Sequence, residues 1–228
     1  MANQMAPVSC TTCDELIGLD VQDRGGLWYI FSLAKFIGLL VFHSAMATAK
    51  TGSFYLTETV TIPAGSPSST RIQGTIDLGA YVNVATGQAV AIESVDVVYQ
   101  SGADFGTSGS GFLAANGALT FQLTDLNPGT EFVRADNQSL IASGTLNVDF
   151  TNNVVSNHTD LYPDNFGPAS LSEAFMVVND SLYLVGGNDG AATGGNDDFI
   201  TVRIKCRVAK LSSKDWMAIA IQSTASDN

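Results

Sequence analysis

Positively charged residues are scarce in this chain of 228 residues, where ten Lys and Arg stand against 22 Asp and Glu and the formal net charge is −12. A protein that coats nucleic acid needs clustered basic side chains to neutralise the phosphates. We therefore expect no specific nucleic-acid binding. The three cysteines are too few for a disulfide scaffold at this length.

Catalytic signatures are also lacking in the sequence. There are two histidines, and of these only His158 lies in the region of predicted strands. A Ser or Cys nucleophile needs a base within reach, usually a histidine, and no GxSxG motif accompanies His158. We expect that the protein is not an enzyme and carries no cofactor.

Apolar residues, by contrast, make up 45% of the chain, which is enough for a buried core. From Thr51 onward, stretches rich in Val, Ile, Thr, Phe and Tyr alternate with clusters of Gly, Asn, Asp, Ser and Pro, a pattern typical of all-β domains. We predict a mainly β fold, with a single antiparallel β-sandwich of about eight to ten strands over residues 51–228. The long connections favour Greek-key or jelly-roll wiring.

Alternation of apolar and polar residues predicts which side chains face the core. The clearest strand carries Ile200, Val202, Ile204, Cys206 and Val208 on one face, which makes Cys206 a small core residue. Two further strands are predicted to turn Leu119, Phe121, Leu123, Leu146, Val148 and Phe150 inward. Residues 216–221 are apolar on both faces and are predicted to form a central strand that is covered on both sides.

The strand spacing predicts one hairpin and leaves two arrangements open for a second segment. Residues 71–84 and 88–99 are predicted to pair around a turn near Gly87. In the second arm the apolar parity switches near Glu93, which predicts a bulge or a bend. Residues 175–185 predict either one hairpin or two short strands about Asn179 and Asp180.

The first 50 residues are predicted to form an arm with a hydrophobic helix at about 27–48. Residues 27–49 contain one formal charge, Lys35. A cleavable signal peptide is disfavoured, because the preceding segment is long and acidic where a short basic one is needed. A membrane-spanning helix, a helix packed on the protein or on a neighbour, and a membrane-surface position remain open. The candidate interface residues here are Trp28, Phe31, Phe36 and Leu40.

Two motifs suggest metal binding. Cys10 and Cys13 form a CxxC pair, but a structural zinc site needs about four ligands, so an incidental pair or a local disulfide is the simpler interpretation. The sequence GGND occurs at 186–189 and again at 194–197, and oxygen ligands on a Gly-rich loop suit Ca²⁺. The weak calcium candidates are Asp189, Asp197 and Asp198, although a solvated loop without metal is the simpler interpretation.

Half of the basic residues lie close together near the C-terminus. Arg203, Lys205 and Arg207 alternate along one strand face, and Lys210 and Lys214 follow. Such a row raises the local positive potential. A solvated strand face, an interface with an acidic patch on an identical neighbour and a nucleic-acid groove are the three interpretations. The last is the weakest, since no aromatic residues interleave with these charges.

The run of strands from Thr51 to Ile221, with residues 73–100 (QGTIDLGAYVNVATGQAVAIESVDVVYQ) and 202–224 (VRIKCRVAKLSSKDWMAIAIQST), resembles the single jelly-roll capsid proteins of icosahedral viruses. The resemblance covers about three quarters of the chain. It implies self-assembly of identical subunits into a shell and a location in the virion. The arm lacks the Lys/Arg-rich composition common in shells that condense naked RNA, so it is expected to contact neighbours or an internal lipid membrane.

The predicted function is therefore that of a structural, self-assembling subunit, a virus major capsid protein that forms an icosahedral shell. One alternative is a subunit of a surface filament or surface layer on a cell. Another is a carbohydrate-binding module or glycan-active enzyme, because a fold alone does not fix function.

Overall fold

The computed structural model describes residues 48–104, 108–160 and 174–225. The predicted hydrophobic helix at about 27–48 lies almost wholly outside these ranges, and the arm residues named above lie outside them entirely. Within them the secondary structure comprises ten strands, two α-helices and a 3-10 helix at Val84–Thr86: β1 (Thr48–Ala49), β2 (Phe54–Ile62), β3 (Arg71–Asp77), β4 (Gln88–Ser101), α1 (Gly109–Phe112), β5 (Gly117–Thr124), β6 (Leu140–Asp149), β7 (Val154–Asp160), β8 (Phe175–Val177), β9 (Ser181–Asp189), β10 (Asp198–Lys210) and α2 (Ser213–Ala225).

The strands form two antiparallel sheets of five strands each. In sheet I, β10 lies between β4 and β2, β8 flanks β4, and β1 pairs with the last residues of β10. Sheet II has the order β3-β9-β5-β6-β7. Apart from β1 and β7, the pairs β2–β10, β3–β9, β4–β8 and β5–β6 are nested, as if one long hairpin had been rolled up. This is jelly-roll connectivity, and the predicted β-sandwich is confirmed.

The core lies between the two sheets, where the predicted alternation is largely confirmed. The five alternating apolar residues of β10, Cys206 among them, are buried, as are Leu119, Phe121 and Leu123 of β5. Phe150 was predicted to face the core, and this is wrong. It follows the end of β6, in the turn before β7, and is 40% exposed, because strand alternation stops where the strand stops.

The hairpin predicted around Gly87 is wrong, because its two arms lie in different sheets. β3 ends at Asp77 and pairs with β9, whereas β4 pairs with β10. The chain turns after β3, where the Asp77 carboxylate accepts the backbone N–H of Gly79. Leu78, in this turn, is fully buried at the edge of the core. Leu78, Tyr81 and Val82 are apolar because they pack on the core at that edge, not because they extend a strand.

The parity switch near Glu93 is a β-bulge, as predicted. Lys205 pairs with Ser94 while the next residue, Cys206, pairs with Ile92, so that Glu93 is the extra residue. Residues 175–185 form two short strands, as one of the two predictions stated, and these strands belong to opposite sheets: β8 pairs with β4, and β9 pairs with β3 and β5.

The strand predicted at 216–221 is wrong, because these residues lie in helix α2. The hydroxyl of Ser212 accepts the backbone N–H of Asp215 at 3.2 Å and donates to its carboxylate at 2.7 Å. This is a capping interaction of the kind that begins helices, and its sequence signal, Ser-x-x-Asp, precedes the apolar run. Neither helix in the described ranges is long and apolar enough to span a membrane.

Candidate functional site

The side of sheet I that is turned away from sheet II, here called the outer face, gathers the charged residues singled out in the sequence. Strand alternation directs Arg203, Lys205 and Arg207 to this side, since the residues between them are buried in the core. The register places Arg203 between Thr57 and Asp96 of the neighbouring strands. The three basic residues thus occupy the centre of the face, flanked by a strand on each side.

Glu93 neutralises much of this basic row. The bulge turns its carboxylate to the outer face, where one oxygen lies 3.2 Å from Lys205 Nζ and the other 3.2 Å from Arg207 Nε. Ser53 donates a further hydrogen bond to it at 3.0 Å. The outer face is therefore less positive than the spacing of basic residues alone predicts. No local pattern in the sequence indicates this role of Glu93, although the parity switch marks its position.

Arg203 is held by an aromatic ring. Its guanidinium carbon lies 4.0 Å from the ring centroid of Tyr55 on β2, a cation–π contact. Tyr55 is 50% exposed. Val98 on β4, the neighbour of β10 on its other edge, lies on the same face and is 42% exposed. The centre of the outer face thus presents an ordered charge together with apolar surface.

Helix α2 extends the outer face at one end. Trp216 and Ile219 pack against Ala89, Met176 and neighbouring apolar residues, and the register pairs Met176 with Ala91 on this side of β4. The other side of α2 faces outward, with Met217 60% exposed and Ile221 64% exposed. The helix is therefore apolar both on the side that packs on the sheet and on the side that faces outward.

The Gly-rich segment with the two GGND sequences is tied into the protein. Asn188 is fully buried, and its amide nitrogen donates to the carbonyls of Ala191 and Pro67 at 2.8 and 3.0 Å while its oxygen accepts the N–H of Thr70. The Thr193 hydroxyl donates to Pro63 O and accepts the N–H of Ser66. These bonds join residues 190–197 to residues 63–70.

The three calcium candidates have different surroundings. The Asp189 carboxylate lies 2.6 Å from the guanidinium of Arg71, which also stacks on Phe132. The Asp197 carboxylate accepts the N–H of Ala64 at 2.8 Å, and Asp198 is buried on the core side of β10. In the part of the chain that the structure describes, no three or more His, Cys, Asp or Glu side chains are grouped so as to hold a metal ion.

Known proteins were compared with the whole chain. No family model matches it, and no curated protein matches it. Among solved structures it is similar to a chain of turnip yellow mosaic virus, with 8% identity, a TM-score of 0.31, and coverage of 73% of this chain and 85% of that one. It is also similar to a chain of desmodium yellow mottle tymovirus, with 8% identity, a TM-score of 0.30, and coverage of 71% and 90%.

A third similar structure is Merkel cell polyomavirus VP1 in complex with GD1a oligosaccharide, with 10% identity, a TM-score of 0.34, and coverage of 73% of this chain and 100% of that chain. These structural neighbours are viral capsid proteins, the group that the sequence resembles. With TM-scores below 0.5, the likeness says nothing about function, which has to be argued from the protein's own surface.

The pairing of Glu93 predicts a measurable loss of stability. In Glu93→Gln the positive charges of Lys205 and Arg207 lose their partner, and Arg207 is only partly exposed. We expect the free energy of unfolding to fall by about 1–3 kcal/mol, as measured by urea denaturation. The matched control is Asp136→Asn, whose ion pair with Arg134 is exposed and is worth at most about 1 kcal/mol. Equal losses in the two variants would contradict this account of Glu93.

Proposed function

We propose that the protein is a structural subunit that assembles with copies of itself, and that the outer face is one of its contact surfaces. The observation that carries the proposal is the exposed apolar surface on this face, contributed by Tyr55, Val98, Met217 and Ile221. Of these, Met217 and Ile221 stand four residues apart in α2 and therefore adjoin on its surface, and adjoining exposed apolar side chains on a monomer mark sites of association. The charges beside them set orientation and register more than affinity.

The geometry of the face supports association between rigid surfaces. It is built on three hydrogen-bonded strands, β2, β10 and β4, and Arg203 is fixed by Tyr55 while Lys205 and Arg207 are fixed by Glu93. Side chains that are already ordered lose little conformational entropy when a second surface covers them. A neighbouring subunit can thus dock without reorganising the sheet.

The finer proposal is that the subunits form the closed icosahedral shell of a virion, with residues 1–47 as an arm that contacts neighbouring subunits or an internal membrane. Its support is the apolar stretch 27–41 in the sequence.

Substitution of the exposed side of α2 tests the contact surface. The double variant Met217→Lys and Ile221→Lys places two charges on the apolar surface and should prevent assembly, leaving monomers in light scattering and no particles in negative-stain electron microscopy. The matched control is Phe150→Lys with Val154→Lys, two exposed apolar residues in the turn after β6 and at the first position of β7, which should assemble like the wild type. Normal particles from the α2 variant would refute the role of the outer face, and open fibres from the wild type would favour a filament subunit.

Deletion of residues 1–47 tests the arm separately. β1 and the bond from Lys50 N–H to Val208 O remain in this variant, so the sandwich should fold. We expect a soluble, β-rich monomer by circular dichroism and light scattering. Shells of normal size from the truncated chain would show that the arm is not needed for assembly.

A further inference from the structure

Asp198, the first residue of β10, carries a fully buried carboxyl group. Its side chain lies on the core side of the strand, in phase with Ile200, and is 0% exposed; neither carboxylate oxygen has a hydrogen-bond partner. Ser101 lies opposite in β4, but its hydroxyl donates to Gly111 O at 2.7 Å. Burial raises the pKa of Asp198 from 3.8 to about 7, a rise that the Ser101 side chain partly opposes and the nearby negative charge of Asp197 increases.

The surroundings of Asp198 form one end of the sandwich, here called the loop end and consisting of residues 63–70, 102–104, 108–116 and 190–197. Asp197 joins these segments, because its carbonyl accepts the N–H of Gly102 at 2.8 Å and its carboxylate accepts the N–H of Ala64. Gly194 accepts the N–H of Gly65 at 3.1 Å and donates to Phe112 O at 2.8 Å. Asp197 and the residues just before it therefore hold the loop end together, and Asp198 follows them directly in the chain.

The titratable groups around Asp198 offer no counter-charge. Asp197 precedes it in the chain. Tyr99 on β4 pairs with Ile200, the next core-facing residue of β10 after Asp198, and its hydroxyl is also buried and without a hydrogen-bond partner. Glu58 lies on the core side of β2, opposite Val202, and Asp104 is exposed in the segment after β4. Each of these groups is neutral or negative, so an ionised Asp198 cannot gain an ion pair from them and can recover solvation only by reaching water.

We propose that Asp198 is a proton-operated latch of the loop end: the neutral carboxyl keeps the start of β10 in the core and the loop segments joined, and the ionised carboxylate draws the start of β10 toward water and separates them. Between about pH 4 and pH 7 the folded state holds a proton that the unfolded chain has lost, so the free energy of unfolding decreases as the pH rises through this range. The latch is independent of the proposed assembly, since all of its groups belong to one chain.

Amide hydrogen exchange in the full-length protein tests the latch. Protection of the N–H groups of Gly65, Gly102 and Gly194, corrected for the intrinsic pH dependence of exchange, should fall by about tenfold or more between roughly pH 5 and pH 8, since one pKa unit corresponds to a factor of ten. Protection of the Val202 N–H, in the middle of β10, should change much less. In Asp198→Asn, which resembles the neutral acid, the loop-end amides should be equally protected at both pH values.

The matched control is Asp180→Asn, which removes an exposed carboxylate and should keep the pH dependence of the wild type. The proposal is overturned if wild-type protection is the same at both pH values, or if Asp198→Asn retains the change. A second measurement does not depend on the variant folding: carbon-13 NMR of the side-chain carboxyls in the wild type should show Asp198 titrating near pH 7. A midpoint near pH 4 would show that the group is solvated and cannot act as a latch.

Discussion

The pairing of β10 with β2 on one side and β4 on the other is the constraint on which the rest of the structure depends. Because β10 is central, its inward residues are sealed by sheet II and its outward residues are aligned by both neighbours. β10 thereby contributes residues to the core on one face and the basic residues Arg203, Lys205 and Arg207 on the other. The bulge in β4 adds the third element, since a single extra residue turns Glu93 toward Lys205 and Arg207.

The two surfaces considered above differ in how their polar groups are satisfied. At the loop end, Asn188 and Thr193 meet their hydrogen-bonding needs within the protein, so the Gly-rich segment is tied to the sandwich. Asp198, which follows this segment, has both carboxylate oxygens buried. On the outer face, the charges are paired but apolar groups such as Met217 remain exposed. A surface with paired charges and uncovered apolar groups is one that gains free energy when another copy covers it.

The sequence predicted the sandwich, the burial along β5 and β10 and the bulge at Glu93, because strand alternation is a local property that follows directly from backbone geometry. It could not predict which strands pair. Residues 71–84 and 88–99 are separated by a turn in the sequence but lie in opposite sheets, a choice made by tertiary packing. Helix α2 was missed because apolarity on both sides outweighed the capping signal of Ser212 and Asp215. The partners of Arg203 and Asn188 depend on distant residues and left no local pattern.

Copies of the chain are proposed to associate through the outer face. Hydroxyl-radical footprinting with mass spectrometry tests it directly, by comparing side-chain oxidation in assembled and dispersed wild-type protein. The account predicts that Tyr55 and Met217, which are 50% and 60% exposed in the single chain, become protected on assembly while Phe150 keeps its reactivity. Unchanged oxidation of Tyr55 and Met217 in assembled material would contradict the claim.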